Sequence, residues 1–144
     1  MLSKYVRATE VIKLHSRVET SLLLATLIRA GTLNSRINFT DDKEILQVSY
    51  LNFTKSQSVL RHKHLPVYRE TRGTAEGWLV LRGKFKAEIF DIDDIHLSNL
   101  ILKKNDMIIL SVGGHSLTSM VNNSRIIEFK NGPYLGDEYD KLLF

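Results

Sequence analysis

The chain has 144 residues, of which 43% are hydrophobic and 25% charged, the proportions of a single globular domain long enough to bury a core. Its formal charge is +4 and its pI is near 9.4, but Lys and Arg are scattered, so no nucleic-acid footprint is read from them. It contains no cysteine, which excludes a disulfide framework, thiolate-bound zinc, iron–sulfur clusters and thiol catalysis.

Residues 1–18 are mixed, with apolar positions Tyr5, Val6, Val11, Ile12 and Leu14; they predict a short strand or an irregular arm. Charges at Lys4, Arg7, Glu10 and Lys13 break the apolar run a signal peptide needs. The apolar stretch at 22–27 is too short to cross a bilayer. A cytoplasmic protein with neither membrane nor nucleic-acid partners is expected. Thr20 stands as an N-cap before an apolar run, and Gly31 stands after it. Those signals predict a helix over 20–30.

Beyond residue 34 the pattern changes to short alternating runs separated by turn residues. Strands are expected at 35–40, 44–53, 58–64, 76–81, 85–90, 95–102, 107–112, 116–121 and 124–130. Arg82-Gly83-Lys84 and Asn122-Asn123 read as hairpin turns. Residues 65–75, with Pro66 and Gly73, read as a loop, as does the tail at 131–140. Eight or nine short strands at regular spacing argue an all-β barrel or jelly roll. The division is an arm and helix at 1–33 and a barrel at 34–144.

The chemistry-bearing residues cluster in this β-rich part. His62 and His64, at i and i+2 of an extended segment, point to one face. Glu76 shares a face with Trp78 and Val80, which is expected to look inward, and an inward carboxylate needs a partner or a metal. His115 follows Gly113-Gly114, where the backbone can bend sharply. Three imidazoles and one carboxylate suit a divalent transition metal such as Fe, Mn, Ni or Zn. His15 and His96 have no partner in the sequence and receive no role.

The run His62-x-His64, then Glu76 followed by Gly83, resembles the first cupin motif. Asp106 to His115, with Asn122 beyond, resembles a degenerate second motif. Arg61-His-Lys-His-Leu-Pro66, Gly73-Thr-Ala-Glu76, Gly113-Gly-His115 and Gly132-Pro-Tyr134 are similar to a subgroup of small cupin-fold metalloproteins, some of which are encoded among genes for surface-polysaccharide and sugar-nucleotide biosynthesis. The likeness covers roughly residues 35–137. It implies a double-stranded β-helix barrel, preceded here by one short helix. It also implies that His62, His64, Glu76 and His115 hold one metal. Three departures stand out. The interval from His64 to Glu76 is long, Ser111-Val112-Gly113 replaces Pro-x-Gly, and Glu70 rivals Glu76 as the carboxylate ligand. Glu76 is preferred because it keeps the Glu-to-Gly spacing.

The likeness implies a metal-binding cupin acting on a small polar molecule such as a sugar or sugar nucleotide. Isomerase or epimerase chemistry would use Tyr68, Glu70 or Tyr134 to move the proton. Arg61, Arg69, Arg72, Arg82, Lys130 and Glu128 are further candidates for the barrel mouth. The alternatives are an iron-dependent dioxygenase and a non-catalytic ligand-binding or structural cupin. The expected 20–30 helix and the apolar end at 142–144 would serve a homodimer interface.

Overall fold

The computed structural model describes residues 10–29, 31 and 36–144. Its strands are β1 (Glu10–His15), β2 (Leu23–Arg29), β3 (Ile37–Asn38), β4 (Ser49–Tyr50), β5 (Glu76–Arg82), β6 (Lys84–Phe90), β7 (His96–Lys103), β8 (Asp106–Leu110), β9 (His115–Ser119) and β10 (Arg125–Lys130). One helical turn, α1 (Asp137–Asp140), follows. The described residues are thus all-β, in three antiparallel sheets. A five-stranded sheet has the order β1-β2-β8-β5-β10, a three-stranded sheet has the order β7-β6-β9, and β3 and β4 form a small ribbon. None of the three closes on itself.

The helix expected at 20–30 is a strand. Residues 23–29 pair with β1 on one side and β8 on the other. A short continuous apolar run has no period that separates helix from buried strand, and here both faces are buried: Ala25 and Leu27 on one, Thr26 and Ile28 on the other. The supposed cap at Thr20 lies in a turn closed by Leu22 N–H donating to Glu19 O at 2.9 Å. No helical face remains there to serve a dimer. The tentative strand within 1–18 appears as β1, with residues 1–9 outside the described set.

Two expected hairpins are corners instead. Arg82-Gly83-Lys84 carries the chain from the large sheet into the small one, and residues 120–124 carry it back. Gly83 makes the first corner with φ +90°, a conformation an L side chain rarely adopts. A Cβ there would also fall against Ser124 of the second corner, 2.8 Å from its Cα. The β6–β7 connection is a true hairpin within the small sheet.

The alternation of apolar residues explains why the two larger sheets pack face to face. Leu27, Trp78, Val80, Ile108 and Leu110 from one meet Phe85, Ala87, Ile89, Leu100 and Leu102 from the other in a single buried cluster. Full burial of a side chain of this kind contributes roughly 1.5–3 kcal/mol.

Two buried aspartates fasten the ends. Asp106, fully buried, accepts from Arg29 Nη1 at 3.0 Å and from Lys103 N–H at 2.8 Å. Arg29 also donates to Ile101 O at 3.2 Å, which links β2 to β7 in the opposite sheet. At the other end Asp91 accepts from the Arg17 and Ile92 N–H groups at 2.6 and 2.8 Å. That ties the β1–β2 turn to the β6–β7 turn.

The expected strand at 44–53 shortens to Ser49–Tyr50, because local side chains take over the backbone groups. Gln47 Nε2 donates to Asp41 O and Glu44 O at 3.0 and 2.8 Å, and Val48 N–H donates to Thr40 Oγ1 at 2.8 Å. The expected strand at 35–40 reduces to Ile37–Asn38, with residues 34 and 35 outside the described set. The expected strand at 58–64 is part of a long exposed segment with no strand partner among the described residues.

Candidate functional site

Glu76 opens β5 and His115 opens β9, so the two sheets each contribute one chemistry-bearing side chain to the same end of the molecule. The pleat explains both orientations. Glu76 is two residues from Trp78, and His115 lies directly across from the buried Ile89. His115 Nε2 stands 3.8 Å from Glu76 Oε2. Only 13% of the Glu76 side chain is exposed, against 32% for His115. The pair therefore sits at the rim of the core, one member inside and one at its edge.

Trp78 holds the pair in place. Its indole Nε1–H donates to Glu76 Oε1. Its ring meets the His115 ring edge-on, with centroids 5.3 Å apart. On the adjacent strand β10, Lys130 pairs across from Glu76, and Glu128 pairs across from Trp78. Lys130 Nζ lies 3.7 Å from Glu128 Oε1 and 4.9 Å from the centre of the Tyr134 ring. The start of β5 is fixed by Asn131, whose side chain accepts from Ala75 N–H at 2.8 Å and donates to Gly73 O at 3.2 Å.

These surroundings push the two groups in opposite directions. Burial raises the Glu76 carboxyl above its ordinary 4.5; the Trp78 hydrogen bond opposes the rise and Glu128 adds to it. Burial lowers the His115 imidazole below its ordinary 6.5, against a hydrogen bond that the ring donates to the Gly113 backbone and the charge of Glu128. A carboxyl inclined to keep its proton thus faces an imidazole inclined to stay neutral.

The C-terminal segment packs beside this rim. The Phe144 ring meets Phe90 with centroids 5.3 Å apart and covers Gly114, where an added Cβ would lie 2.9 Å from Phe144 Cε1. Tyr134 donates its hydroxyl to Asp137 Oδ1 at 2.7 Å, and Lys141 Nζ lies 2.7 Å from the same oxygen. The Asp137 hydrogen bond raises the Tyr134 phenol.

Of the four expected metal ligands, the structure brings together Glu76 and His115. His62 and His64 lie in the long segment between β4 and β5, where every residue from 51 to 74 is exposed. His62 Nδ1 is 2.8 Å from Leu60 O, and the rings of His62 and His64 are edge-to-face at 5.3 Å. Among the described residues no group of three or more His, Asp or Glu is arranged to hold a metal ion. The four residues as placed therefore do not fit a metal, because two of them are absent from the rim. Tyr68 and Glu70 lie in the same exposed segment, while Tyr134 reaches the Lys130 side of the rim. Arg82 lies at the far end of β5, beside the Gly83 corner, and so is not a mouth residue. His96 is also engaged elsewhere, with Nε2 3.2 Å from Asn99 Oδ1.

The sequence reading left Trp78 as a core residue and Glu128 as a minor candidate. Their parts in the site follow from the β5–β10 register, which no local pattern reveals. No helix of the described residues is long and apolar enough to cross a membrane. Compared with protein-family models, with characterised proteins and with solved structures, the chain gives no match.

Proposed function

We propose that this chain is a cupin-type jelly roll that binds a small polar molecule, a sugar or sugar nucleotide, at the Glu76–His115 rim and catalyses isomerase- or epimerase-type proton transfer. The observation that carries the reading is the convergence of a carboxyl and an imidazole from opposite sheets, 3.8 Å apart, over the Trp78 indole. Trp78 holds the pair from within the core, while Lys130 and Glu128 beside it supply a cation and an acceptor for hydroxyl or phosphate groups.

The chemistry follows from the two titrations. Neutral His115 removes a proton from the carbon beside a carbonyl. Glu76, in its acid form, gives its proton to the carbonyl oxygen as charge develops there. Protonated His115 then gives its proton to the former carbonyl carbon of the enediol, or to the original carbon once the enediol has turned its other face to it, while the Glu76 carboxylate takes back a hydroxyl proton, so the two side chains regain their starting states. The first outcome is isomerisation, the second epimerisation.

A metal-bound form of the same site is the second reading, favoured by the same convergence. A divalent transition metal, held by His62, His64, Glu76 and His115, would polarise a carbonyl or stabilise an enediolate. As His62 and His64 are placed, no step is derived through a metal.

The test is calorimetric titration with a panel of hexose phosphates and nucleoside-diphosphate hexoses, run on the wild type, His115→Ala and Glu76→Gln. Saturable binding weakened by both substitutions is expected. A compound bound equally by all three proteins places the binding site elsewhere and overturns the proposal.

A further inference from the structure

The positive charge of the chain is concentrated in the segment between β4 and β5. Residues 51–74 hold Lys55, Arg61, Lys63, Arg69 and Arg72 against one acidic residue, Glu70. Their net charge of +4 equals that of the whole chain, so the remaining residues balance to zero. Along the sequence these cations are spaced out, but the fold leaves all of them on one stretch where every residue from 51 to 74 is exposed.

Apolar groups are interleaved with the cations. Val59, Leu60, Leu65, Val67 and Tyr68 are 58–86% exposed, and Arg61, Lys63 and Arg69 stand between and beside them. Apolar groups gathered in this way on a surface mark a contact site, and they have burial free energy still to gain. The segment is neither helix nor strand, and its hydrogen bonds out to residue 72 are local: Gln57 with Thr54, Val67 with Leu65, His62 with Leu60 and Arg69 with Val67. Its far end is fixed, because Asn131 holds Ala75 and Gly73. Whatever the segment binds is therefore tied directly to β5.

Three classes of partner offer the complementary negative charge. Single-stranded nucleic acid is held by stacking on aromatic rings, whereas four of the five exposed apolar groups at 59–68 are aliphatic. A folded acidic protein requires a complementary surface of defined shape, which a segment without regular structure does not present. An anionic bilayer takes both kinds of group at once, the cations at its headgroups and the aliphatic side chains in the boundary beneath them. Its lipids rearrange around the side chains, so no fixed geometry is required. The backbone stays at headgroup level, where water satisfies its polar groups. The expectation of no membrane partner rests on the lack of a spanning run, and contact with the surface requires none.

We infer that residues 51–74 are a surface anchor that seats the protein on anionic phospholipid bilayers, with Arg61, Lys63 and Arg69 at the headgroups and Leu60, Leu65 and Val67 in the interface. The inference is independent of the Glu76–His115 chemistry. Each Lys or Arg near such a surface strengthens partitioning by about fivefold, and salt screens the attraction.

The test is co-sedimentation of the full chain with vesicles of phosphatidylcholine alone and of phosphatidylcholine mixed with phosphatidylserine, with a single-stranded oligonucleotide titrated in parallel. Binding to the mixed vesicles alone is expected, and it should weaken as salt rises. Arg61→Gln, Lys63→Gln and Arg69→Gln combined should weaken it by about a hundredfold. Leu60→Ser with Leu65→Ser should weaken it by about fivefold or more. All five positions are exposed, so both variants should melt with the wild type, which a thermal scan checks. Failure to bind the mixed vesicles, or equal binding to both vesicle types, overturns the inference. Binding unchanged by the charge substitutions places the contact elsewhere on the chain and overturns it as well. Binding unchanged by the leucine substitutions marks a surface for any polyanion, and tighter binding to the oligonucleotide marks a nucleic-acid surface; either result overturns the bilayer reading.

Discussion

His115 Nε2 lies 3.8 Å from Glu76 Oε2 although the two residues open strands in different sheets. Their separation therefore reports on how the sheets stack, and the packing of Trp78 against Ile108 and Leu110 sets it as much as either side chain does. Truncating Trp78 to Ala should cost stability, about 3–5 kcal/mol for a buried aromatic, and should also free the Glu76 carboxyl. Trp78→Phe is the more telling variant: it keeps most of the volume but removes the indole donor. Because that hydrogen bond lowers the Glu76 carboxyl, its loss should raise the carboxyl further, as read by carbon-13 NMR of the labelled side chain.

Three of the shifted groups show how opposite pH signs arise. His115 is depressed below 6.5 and Asp91 below 3.8. Burial of Asp91 works against its depression, but hydrogen bonds from Ser16 and the Arg17, Ile92 and Val18 N–H groups outweigh it. Each contributes stability that is complete above its unfolded value and is lost as pH falls toward the folded one. Glu76, raised above 4.5, contributes stability below that value and loses it as pH rises through its folded value. Glu76→Gln cannot ionise and can still accept from Trp78. It should melt higher than the wild type at pH 7–8, and the difference should vanish by pH 4. Melting curves across that range check it; a constant difference would contradict the assigned direction.

Asp106→Ala should destabilise the fold by about 3 kcal/mol, the usual cost of removing one partner of a buried ion pair. The substitution removes the carboxylate from the Lys103 N–H and from the Arg29 guanidinium, which keeps Ile101 O and Glu10. Urea denaturation measures it. A loss under about 1 kcal/mol would mean the Arg29 bridge between the sheets carries little.

Gly83→Ala should cost at least about 1 kcal/mol, since φ is positive there and a Cβ meets Ser124. This corner also shows what the sequence could and could not convey. Gly83 was legible as a turn residue, and the strands on either side were legible from alternation. A hairpin and a sheet-switching corner use the same local signals, however, so the sheet assignment of β5 and β6 was not legible. The run 22–28 failed for a different reason: buried on both faces, it lacks the period that identifies a strand. Glu76, Trp78 and Val80 were readable as one inward face, and His115 as a residue re-aimed by its glycines. The 3.8 Å pairing came from tertiary packing alone. His62 and His64 remain a motif without a geometry in the described arrangement.

Limited trypsin digestion should cut first at Arg61, Lys63, Arg69 or Arg72, all within the exposed segment. The nicked protein should stay together, because the N-terminal fragment carries β1 and β2, and β2 is paired along β8. Size-exclusion chromatography of the digest under native and denaturing conditions separates one particle from two fragments. Dissociation of the fragments without denaturant would contradict the sheet order.

The most direct test of the central claim is a histidine side-chain NMR titration of the full chain with a nucleoside-diphosphate hexose and with a hexose phosphate. The His115 resonance is assigned by its loss in His115→Ala. The account predicts that this resonance moves saturably with at least one of the two compounds, while His15 and His96 stay in place. Saturable binding that leaves His115 unmoved would contradict it.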